Sequence, residues 1–416
     1  MIGRRTWLRS IGLRAAAIAA GGLGLPPSAF AQVAPGSGST QRRRSARRPV
    51  IASPTTPVFP LPSGPVRADE RINAVMATVR DRHQVPGLIG AIIRGESLDA
   101  IGAAGLRKQG FPQAIQVTDA VHVGSCTKAM TATLLGLLVD EGLVTWDAPI
   151  RDLFPELAPT LNADFQGVTL NELLTHRAGL PANVDWWNLP GRSTTEQRLS
   201  LLRSTMAKAP SSRPGSKYLY SNVGFAIAGL IAEQVTGEAW ESLMTQRLFR
   251  PLAMKSAGFG PPGHRESNRA DAPWGHGGER GRLKPVWHDN AACLGPAGTV
   301  HCSIPDWGRF ASLHLRAVQG KPKLLTRESF RALHTPPAGF SYVGGWISVG
   351  RTPAGRALTH DGSNTYWYAS IWIYPDRDIA TIVATNQGSA PAPDACQEAG
   401  RELLRIALRD RPAGPS

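Results

Sequence analysis

The chain has 416 residues, 42% of them hydrophobic, which is enough to bury the core of one large domain or two ordinary ones. Its formal charge is +15 at pH 7. No internal stretch reaches the roughly 18 apolar residues of a membrane-spanning helix. The basic excess does not favour nucleic acid as a partner, because no recognisable nucleic-acid-binding motif accompanies it.

The first 31 residues are typical of a signal peptide. A basic start is followed by an apolar run from Ala15 to Leu25 and by small residues suited to cleavage at 29–31. Arg4 and Arg5, followed by Thr-Trp-Leu, are similar to a twin-arginine signal, which directs folded proteins across the bacterial inner membrane. A plain secretory signal with a chance arginine pair is the alternative. Both predict a periplasmic or secreted protein.

Residues 32–66 form a tail rich in Pro, Ser and Thr, with five arginines and no acidic residue. Such a composition cannot bury a core, so we expect the tail to be disordered. Its arginines could contact anionic polymers or lipids of the cell envelope, or the tail could be a solvated spacer. One domain is then predicted over residues 67–410.

The predicted elements of this domain follow from hydrophobic periodicity and turn residues. They are a helix over 68–84, strands at 88–95 and 98–107, a helix from Ser125 to about Glu141, a mostly helical and loop-rich stretch over 146–290, strands at 343–349, 357–360, 366–374 and 379–385, and a helix over 394–409. Strands at both ends with helices between them predict an α/β (α+β) fold. In it, an antiparallel sheet is flanked by helices and carries an inserted, mostly helical subdomain over about 146–290.

The four cysteines, Cys126, Cys293, Cys302 and Cys396, lack the Cys-x-x-Cys spacing of zinc and redox sites. Cys293 and Cys302 enclose a short loop and could form a disulfide bond in an oxidising compartment, or remain thiols. The sequence also lacks a phosphate-binding loop, a His-Glu-x-x-His metal motif and a Gly-x-Ser-x-Gly turn. We therefore predict no metal and no cofactor.

Ser125 and Lys128 lie three residues apart at the predicted start of an apolar helix. This spacing places both side chains on one helix face. A lysine in a dry pocket loses its proton more readily and can serve as the base for a serine hydroxyl. The alternative is a helix-capping serine beside a solvated lysine.

Two further stretches are candidates for chemistry. Tyr220-Ser221-Asn222 precedes an apolar helix that ends near Gly237, where a tyrosine could relay protons and an asparagine could hold a lysine. A buried tyrosine and an asparagine N-cap are the alternative. His360-Asp361-Gly362 lies between two predicted strands, where Gly362 would let a substrate approach the strand edge.

With these three motifs in this order, residues 70–410 resemble the serine β-lactamase and penicillin-binding protein superfamily, in particular its class C and esterase-like branch. Similar stretches occur at 173–181, 247–254 and 295–310. The resemblance implies a β-lactamase/transpeptidase-like fold. It implies Ser125 as the acylated nucleophile, Lys128 as its base partner and Tyr220 as a partner in acid and base catalysis.

The same resemblance implies the substrate-binding residues. Asn222 would hold Lys128 and the substrate amide, and the backbone N–H groups of Ser125 and Ser363 would form the oxyanion hole. Asn183 matches an amide that touches the acyl side chain, and Asn386 matches an asparagine near the substrate carboxylate.

The third motif departs from the family's usual Lys-Thr-Gly, because His360 stands where the lysine would hold a substrate carboxylate. A histidine is only partly charged near neutral pH, so it would hold that carboxylate less firmly. Bulky residues are also expected to narrow the cleft or to form an aromatic wall; they are Trp186, Trp187, Thr365, Tyr366 and Trp367.

The sequence thus predicts an exported serine hydrolase that works through an acyl-enzyme at Ser125. Its substrate would be a small molecule or a peptidoglycan-derived compound: an ester, a D-amino-acid peptide or amide, or a β-lactam. The alternative is a non-catalytic protein on the same fold that binds or senses penicillin or peptidoglycan.

Overall fold

The computed structural model describes residues 65–263, 265, 270–278 and 282–410. The predicted signal peptide, and the predicted tail except for its last two residues, lie outside this part. Across the described residues, no helix is both long and apolar enough to cross a membrane.

Twelve strands are found among the described residues, and seven of them form the main sheet. In chain order they are β1 (Gly87–Arg94), β2 (Ser97–Gly105), β3 (Ala120–His122), β4 (Gly258–Phe259), β5 (Gly275–Gly277), β6 (Lys284–Val286), β7 (Val300–Ser303), β8 (Tyr342–Val343), β9 (Trp346–Thr352), β10 (Gly355–Ser363), β11 (Tyr368–Tyr374) and β12 (Ile379–Thr385). The main sheet has the order β2-β1-β12-β11-β10-β9-β8, and every neighbouring pair is antiparallel. Strands β3, β7 and β4 form a small second sheet, and β5 pairs with β6. The predicted antiparallel sheet, built from both ends of the domain, is confirmed.

The described part also contains twelve α-helices. They are α1 (Glu70–His83), α2 (Thr127–Asp140), α3 (Ile150–Leu153), α4 (Ala163–Gln166), α5 (Leu170–Leu174), α6 (Thr194–Met206), α7 (Asn222–Thr236), α8 (Trp240–Leu243), α9 (Gly295–Gly298), α10 (Ile304–Val318), α11 (Arg327–His334) and α12 (Pro391–Arg409). Within the described part of residues 146–290 lie helices α3 to α8 and only three short strands.

Helices cover both faces of the main sheet. Ile89 and Ile93 of β1 belong to the larger apolar cluster, which includes residues of α2, α7 and α10. Leu88 and Ile92 of the same strand belong to a second cluster with residues of α1 and α12. This two-residue alternation is what a strand buried on both faces requires.

One predicted strand is wrong. Residues 343–349 are not continuous, because Gly344 and Gly345 have φ angles of 56° and 81° and form a turn between β8 and β9. A side chain at Gly345 would lie 2.2 Å from the backbone nitrogen of Ala129 in α2. The turn therefore brings the chain close to the helix that follows Ser125.

All four cysteines are buried and free, so Cys293 and Cys302 form no disulfide bond. Cys302 lies in β7, whereas Cys293 lies in a helical turn over Ala292–Leu294.

Candidate active site

Ser125 lies in a tight helical turn, Gly124–Cys126, between β3 and α2. The turn is closed by the Cys126 N–H, which donates to the carbonyl of Val123 at 3.1 Å. Gly124 has a φ of 51°, a conformation that glycine adopts without strain. The half-buried Ser125 side chain therefore stands at the start of α2, as the sequence predicts.

Lys128 is fully buried, and its Nζ lies 3.1 Å from Ser125 Oγ. Nζ also donates to Asn222 Oδ1 and to the carbonyl of Ala297, both at 2.7 Å. Burial lowers the pKa of Lys128 well below its ordinary value of 10.5. A neutral amine has two N–H groups and one lone pair. If the two N–H groups serve Asn222 and Ala297, the lone pair is left for the serine hydroxyl.

Tyr220 completes the centre of the site. Its ring centroid lies 4.9 Å from Lys128 Nζ, and Ser125 is near enough to offset part of the rise in the pKa of its hydroxyl. Burial raises the pKa of Tyr220, so the phenol keeps its proton near neutral pH. The side chain can therefore pass protons to and from Ser125, but it is not a stable phenolate.

The segment that carries Tyr220 is fixed by the start of α7. Ser221, rather than Asn222, is the N-cap, and its Oγ accepts from the Gly224 N–H at 3.0 Å. His176, which is buried, accepts from the Ser221 N–H at 3.1 Å, and its ring lies 4.4 Å from the ring of Tyr220. His176 therefore holds the segment that precedes α7 in place.

Asn183 and Asn222 share one hydrogen-bonded chain with Lys128. Asn222 Nδ2 donates to Asn183 Oδ1 at 2.9 Å, while Asn222 Oδ1 accepts from Lys128. Asn183 also accepts from the indole N–H of Trp186 at 3.3 Å. The structure therefore brings both predicted asparagines to the site, with Asn183 on its exposed side.

The end of β10 packs directly against the Ser125 turn. A side chain at Gly362 would lie 2.0 Å from the Val123 carbonyl and 2.8 Å from the Ser125 nitrogen. Conversely, a side chain at Gly124 would lie 2.3 Å from the backbone nitrogen of Ser363. Only glycine at both positions allows this approach, which brings the backbones of Ser125 and Ser363 side by side.

His360 differs from the substrate-binding cation suggested by its place in the motif. The side chain is buried, its Nε2 lies 3.2 Å from the Tyr342 hydroxyl, and its Nδ1 lies 2.6 Å from the Asp361 carbonyl. Burial, with a smaller contribution from nearby Lys128, lowers the pKa of His360 to about 3. At neutral pH the imidazole is uncharged and supplies no cation for a carboxylate. Its partner Tyr342 was not recognisable from sequence, because it lies in a two-residue strand.

Asn386 also differs from its expected position beside a substrate carboxylate. It is fully buried, and its Nδ2 donates to the carbonyls of Leu106 and Arg107 at 3.1 and 3.0 Å. In this conformation the amide joins the end of β12 to the segment after β2 and does not reach the cleft.

Part of the expected aromatic wall is present. Trp187 is 64% exposed and stacks on His288 with 5.5 Å between ring centroids, and His288 in turn contacts Tyr366. Trp186 and Trp367 are buried and contribute no such surface. An open groove beside Tyr366 is lined by Gly277, Gly278, Arg282, Lys284 and Val286.

Across the described residues, no group of three or more His, Cys, Asp or Glu side chains is arranged to hold a metal ion.

Comparison with known proteins adds to this geometry. A profile of the family described as Beta-lactamase matches residues 72–404. Penicillin-binding protein 4 of Amycolatopsis lactamdurans is 26% identical, and the match covers 83% of this chain and 92% of that protein. Unguisins hydrolase ungD' of Aspergillus campestris is also 26% identical over 70% of this chain, which spans about half (52%) of that longer protein.

A solved structure shows the same fold. The octameric penicillin-binding protein homologue from Pyrococcus abyssi aligns with a TM-score of 0.67 at 21% identity, over 83% of this chain and 78% of that chain. At this identity the similarity concerns the fold alone.

Proposed function

The chain belongs to the beta-lactamase family, and we propose that it is a serine hydrolase that forms an acyl-enzyme at Ser125. One observation carries the proposal. Lys128 Nζ lies 3.1 Å from Ser125 Oγ, in a fully buried environment that lowers the lysine pKa. A buried amine with a lowered pKa, within hydrogen-bond reach of a serine hydroxyl, is the arrangement that a general base requires.

In the first step, Lys128 accepts the Ser125 proton as Oγ attacks the substrate carbonyl. The bonds from Nζ to Asn222 Oδ1 and the Ala297 carbonyl, both 2.7 Å, then support the ammonium group that forms. Because these acceptors are already in place, the charge is stabilised without rearrangement of the site.

The carbonyl oxygen becomes negative in this step. We assign the backbone N–H groups of Ser125 and Ser363 as its donors, since the glycines at 124 and 362 let the two segments touch. Removing one donor of such a pair typically lowers kcat by about 10²–10³.

Tyr220 then passes the proton to the leaving group. Its place beside Lys128 and Ser125 and its raised pKa suit a neutral relay that gives one proton while it accepts another. Water releases the acyl group in a second step, with Tyr220 serving in the reverse direction.

The uncharged His360 affects which class of substrate we favour. Its pKa of about 3 leaves no cation at the position where the resemblance implies a contact with a substrate carboxylate. We therefore favour esters and D-amino-acid peptides or amides over penicillins as substrates. Asn183 is the exposed member of the hydrogen-bonded series Lys128–Asn222–Asn183, and it is in a position to contact the acyl group.

We also propose that the protein works in the periplasm or outside the cell. The observation behind this is the pair Arg4 and Arg5 before an apolar run. Replacing both arginines with lysine should abolish export. Export that survives this change would argue against the twin-arginine route.

The function is tested by turnover and by intact mass spectrometry. The purified protein is incubated with p-nitrophenyl butyrate, D-alanine p-nitroanilide and benzylpenicillin. Wild type and Ser125→Ala are compared, with Ser204→Ala on α6 as the matched control. We expect Ser125-dependent turnover of the ester or the amide, and wild-type rates for Ser204→Ala. Turnover that persists in Ser125→Ala with every substrate would refute the proposal. A stable Ser125 adduct without turnover would instead support a penicillin-binding or sensing protein.

A further inference from the structure

One carboxylate lies between the two segments that carry Ser125 and Ser363. Asp289 follows the short strand β6, and its side chain is only 6% exposed. Its Oδ2 lies 2.9 Å from Nε2 of His122, which is fully buried at the end of β3. Its Oδ1 accepts from Asn364 Nδ2 at 2.8 Å and from the Asn290 N–H at 2.7 Å.

Through His122, Asp289 is connected to the turn Gly124–Cys126 that carries Ser125. The Gly124 N–H donates to His122 Nδ1 at 3.0 Å, so Nδ1 carries no proton. The ring proton must then be on Nε2, where it is donated to Asp289. Asp289 thus fixes the tautomer that accepts from Gly124, the residue directly before Ser125.

Through Asn364, Asp289 is also connected to the end of β10, which carries Ser363. Asn364 is buried and directly follows Ser363. Its Nδ2 donates to Asp289, while its Oδ1 accepts from the Tyr366 N–H at 3.2 Å. Both ends of this amide are therefore assigned, and the turn after β10 cannot shift without breaking one of these bonds.

We propose that Asp289 is a positioning residue that aligns the two proposed oxyanion donors, through His122 on one side and Asn364 on the other. The inference rests on the proposed function, because it concerns the N–H groups of Ser125 and Ser363. Asp289 itself contacts neither substrate nor Ser125. It acts by holding two chain segments at a fixed separation, so that both N–H groups point at one oxygen.

The change Asp289→Asn tests this with almost no change in volume. If the new amide oxygen accepts from Asn364 and Asn290, the NH2 group of the same amide faces the His122 Nε2–H, and two donors meet. If the amide is reversed, its NH2 faces the donors of Asn364 and Asn290. Turning Asn364 would place its NH2 against the Tyr366 N–H, and switching the His122 tautomer would set a proton against the Gly124 N–H. Every arrangement therefore breaks at least one of the hydrogen bonds that connect position 289 to the two segments.

We expect Asp289→Asn to lower kcat for p-nitrophenyl butyrate about 10- to 100-fold, somewhat less than the complete loss of one donor. KM should stay within about threefold, because ground-state binding is not altered. The rate at which an alkyl fluorophosphonate labels Ser125 should fall in parallel, since its phosphoryl oxygen occupies the same donors.

Asp306→Asn is the matched control. Asp306 is a buried carboxylate that accepts from the backbone N–H and the hydroxyl of Ser256, at 2.7 and 2.6 Å, away from the site. It should lose stability in urea while its kcat per folded molecule stays that of the wild type. If Asp289→Asn also loses stability in urea but keeps the wild-type kcat, Asp289 has only a structural role and the inference is overturned.

His122 supplies a second test if Asp289→Asn does not fold. His122→Asn keeps an acceptor for the Gly124 N–H, and His122→Gln keeps a donor for Asp289, but neither keeps both. We expect both to lose at least about tenfold in kcat, and a folded variant within threefold of the wild type would overturn the inference. Failure of the proposed function looks different, because the wild type itself would then show no Ser125-dependent turnover or labelling.

Discussion

If Lys128 is the base, kcat/KM for an ester should reach its plateau well below pH 10.5. An ordinary lysine with a pKa of 10.5 is only about 0.03% neutral at pH 7. Its neutral fraction, and with it the acylation rate, would rise about 10³-fold between pH 7 and pH 10. In this site burial lowers the lysine pKa, which moves this rise to lower pH.

The direction of the pH dependence follows from the protonation state of Lys128 that reacts. Only the neutral amine accepts the Ser125 proton, so activity is lost as the pH falls through the lowered pKa of Lys128. The raised pKa of Tyr220 keeps the phenol protonated over the same range. The pKa of His360, about 3, lies below the assay range. A limb that lies below pH 10.5 would therefore report Lys128.

The assay is kcat/KM for p-nitrophenyl butyrate from pH 5 to pH 10, with the Ser125→Ala rate subtracted at each pH. We expect the plateau to be reached well below pH 10.5. Lys128→Arg is the control, since arginine cannot lose its proton, and it should lose about 10²–10⁴ in rate at every pH. A tenfold rise per pH unit up to pH 10 would show an ordinary lysine and refute the reasoning.

Three further predictions follow from single contacts. Tyr220→Phe removes the hydroxyl proposed as the proton relay but keeps the ring, so kcat should fall about 10²-fold or more, and a wild-type kcat would exclude the relay. Gly362→Ala places a methyl group 2.0 Å from the Val123 carbonyl and should abolish activity and lower the urea midpoint, whereas Gly400→Ala, in open space on α12, should stabilise by about 1 kcal/mol. His334 has a pKa of about 3 when folded against 6.5 when unfolded, so protonation of the unfolded state removes stability as the pH falls below 6.5. His334→Gln should therefore lessen the loss of unfolding free energy between pH 7 and pH 4.5 by on the order of 2–3 kcal/mol, and an unchanged loss would contradict this.

The features that sequence predicted well are local ones. The spacing of Ser125 and Lys128 places Ser125 in the turn before α2 and Lys128 in its first turn, and the apolar run after Tyr220 fixes the start of α7 within one residue. The main sheet was predictable because its strands are apolar runs bounded by turn residues such as Pro375–Arg377. Each of these signals needs only a few neighbouring residues.

The predictions that did not match depend on distant contacts. Gly344 and Gly345 divide a predicted strand because the chain must pass Ala129, some 215 residues earlier in the sequence. Asn386 is held by carbonyls at 106 and 107, 280 and 279 residues away. Position in a motif identifies the residue type but not its hydrogen-bond partners, and those partners decide whether a side chain faces the cleft.

The same reasoning explains the character of the site. Burial leaves Lys128, His176 and His360 with lowered pKa values, so a positive charge is disfavoured on each of these groups near Ser125. A cation in place of His360 would favour a substrate carboxylate, but it would also oppose the ammonium group that forms on Lys128 during acylation, since like charges disfavour each other at short range. The neutral histidine thus gives up one binding contact and avoids that repulsion. This exchange suits a substrate without a carboxylate, such as a simple ester or amide.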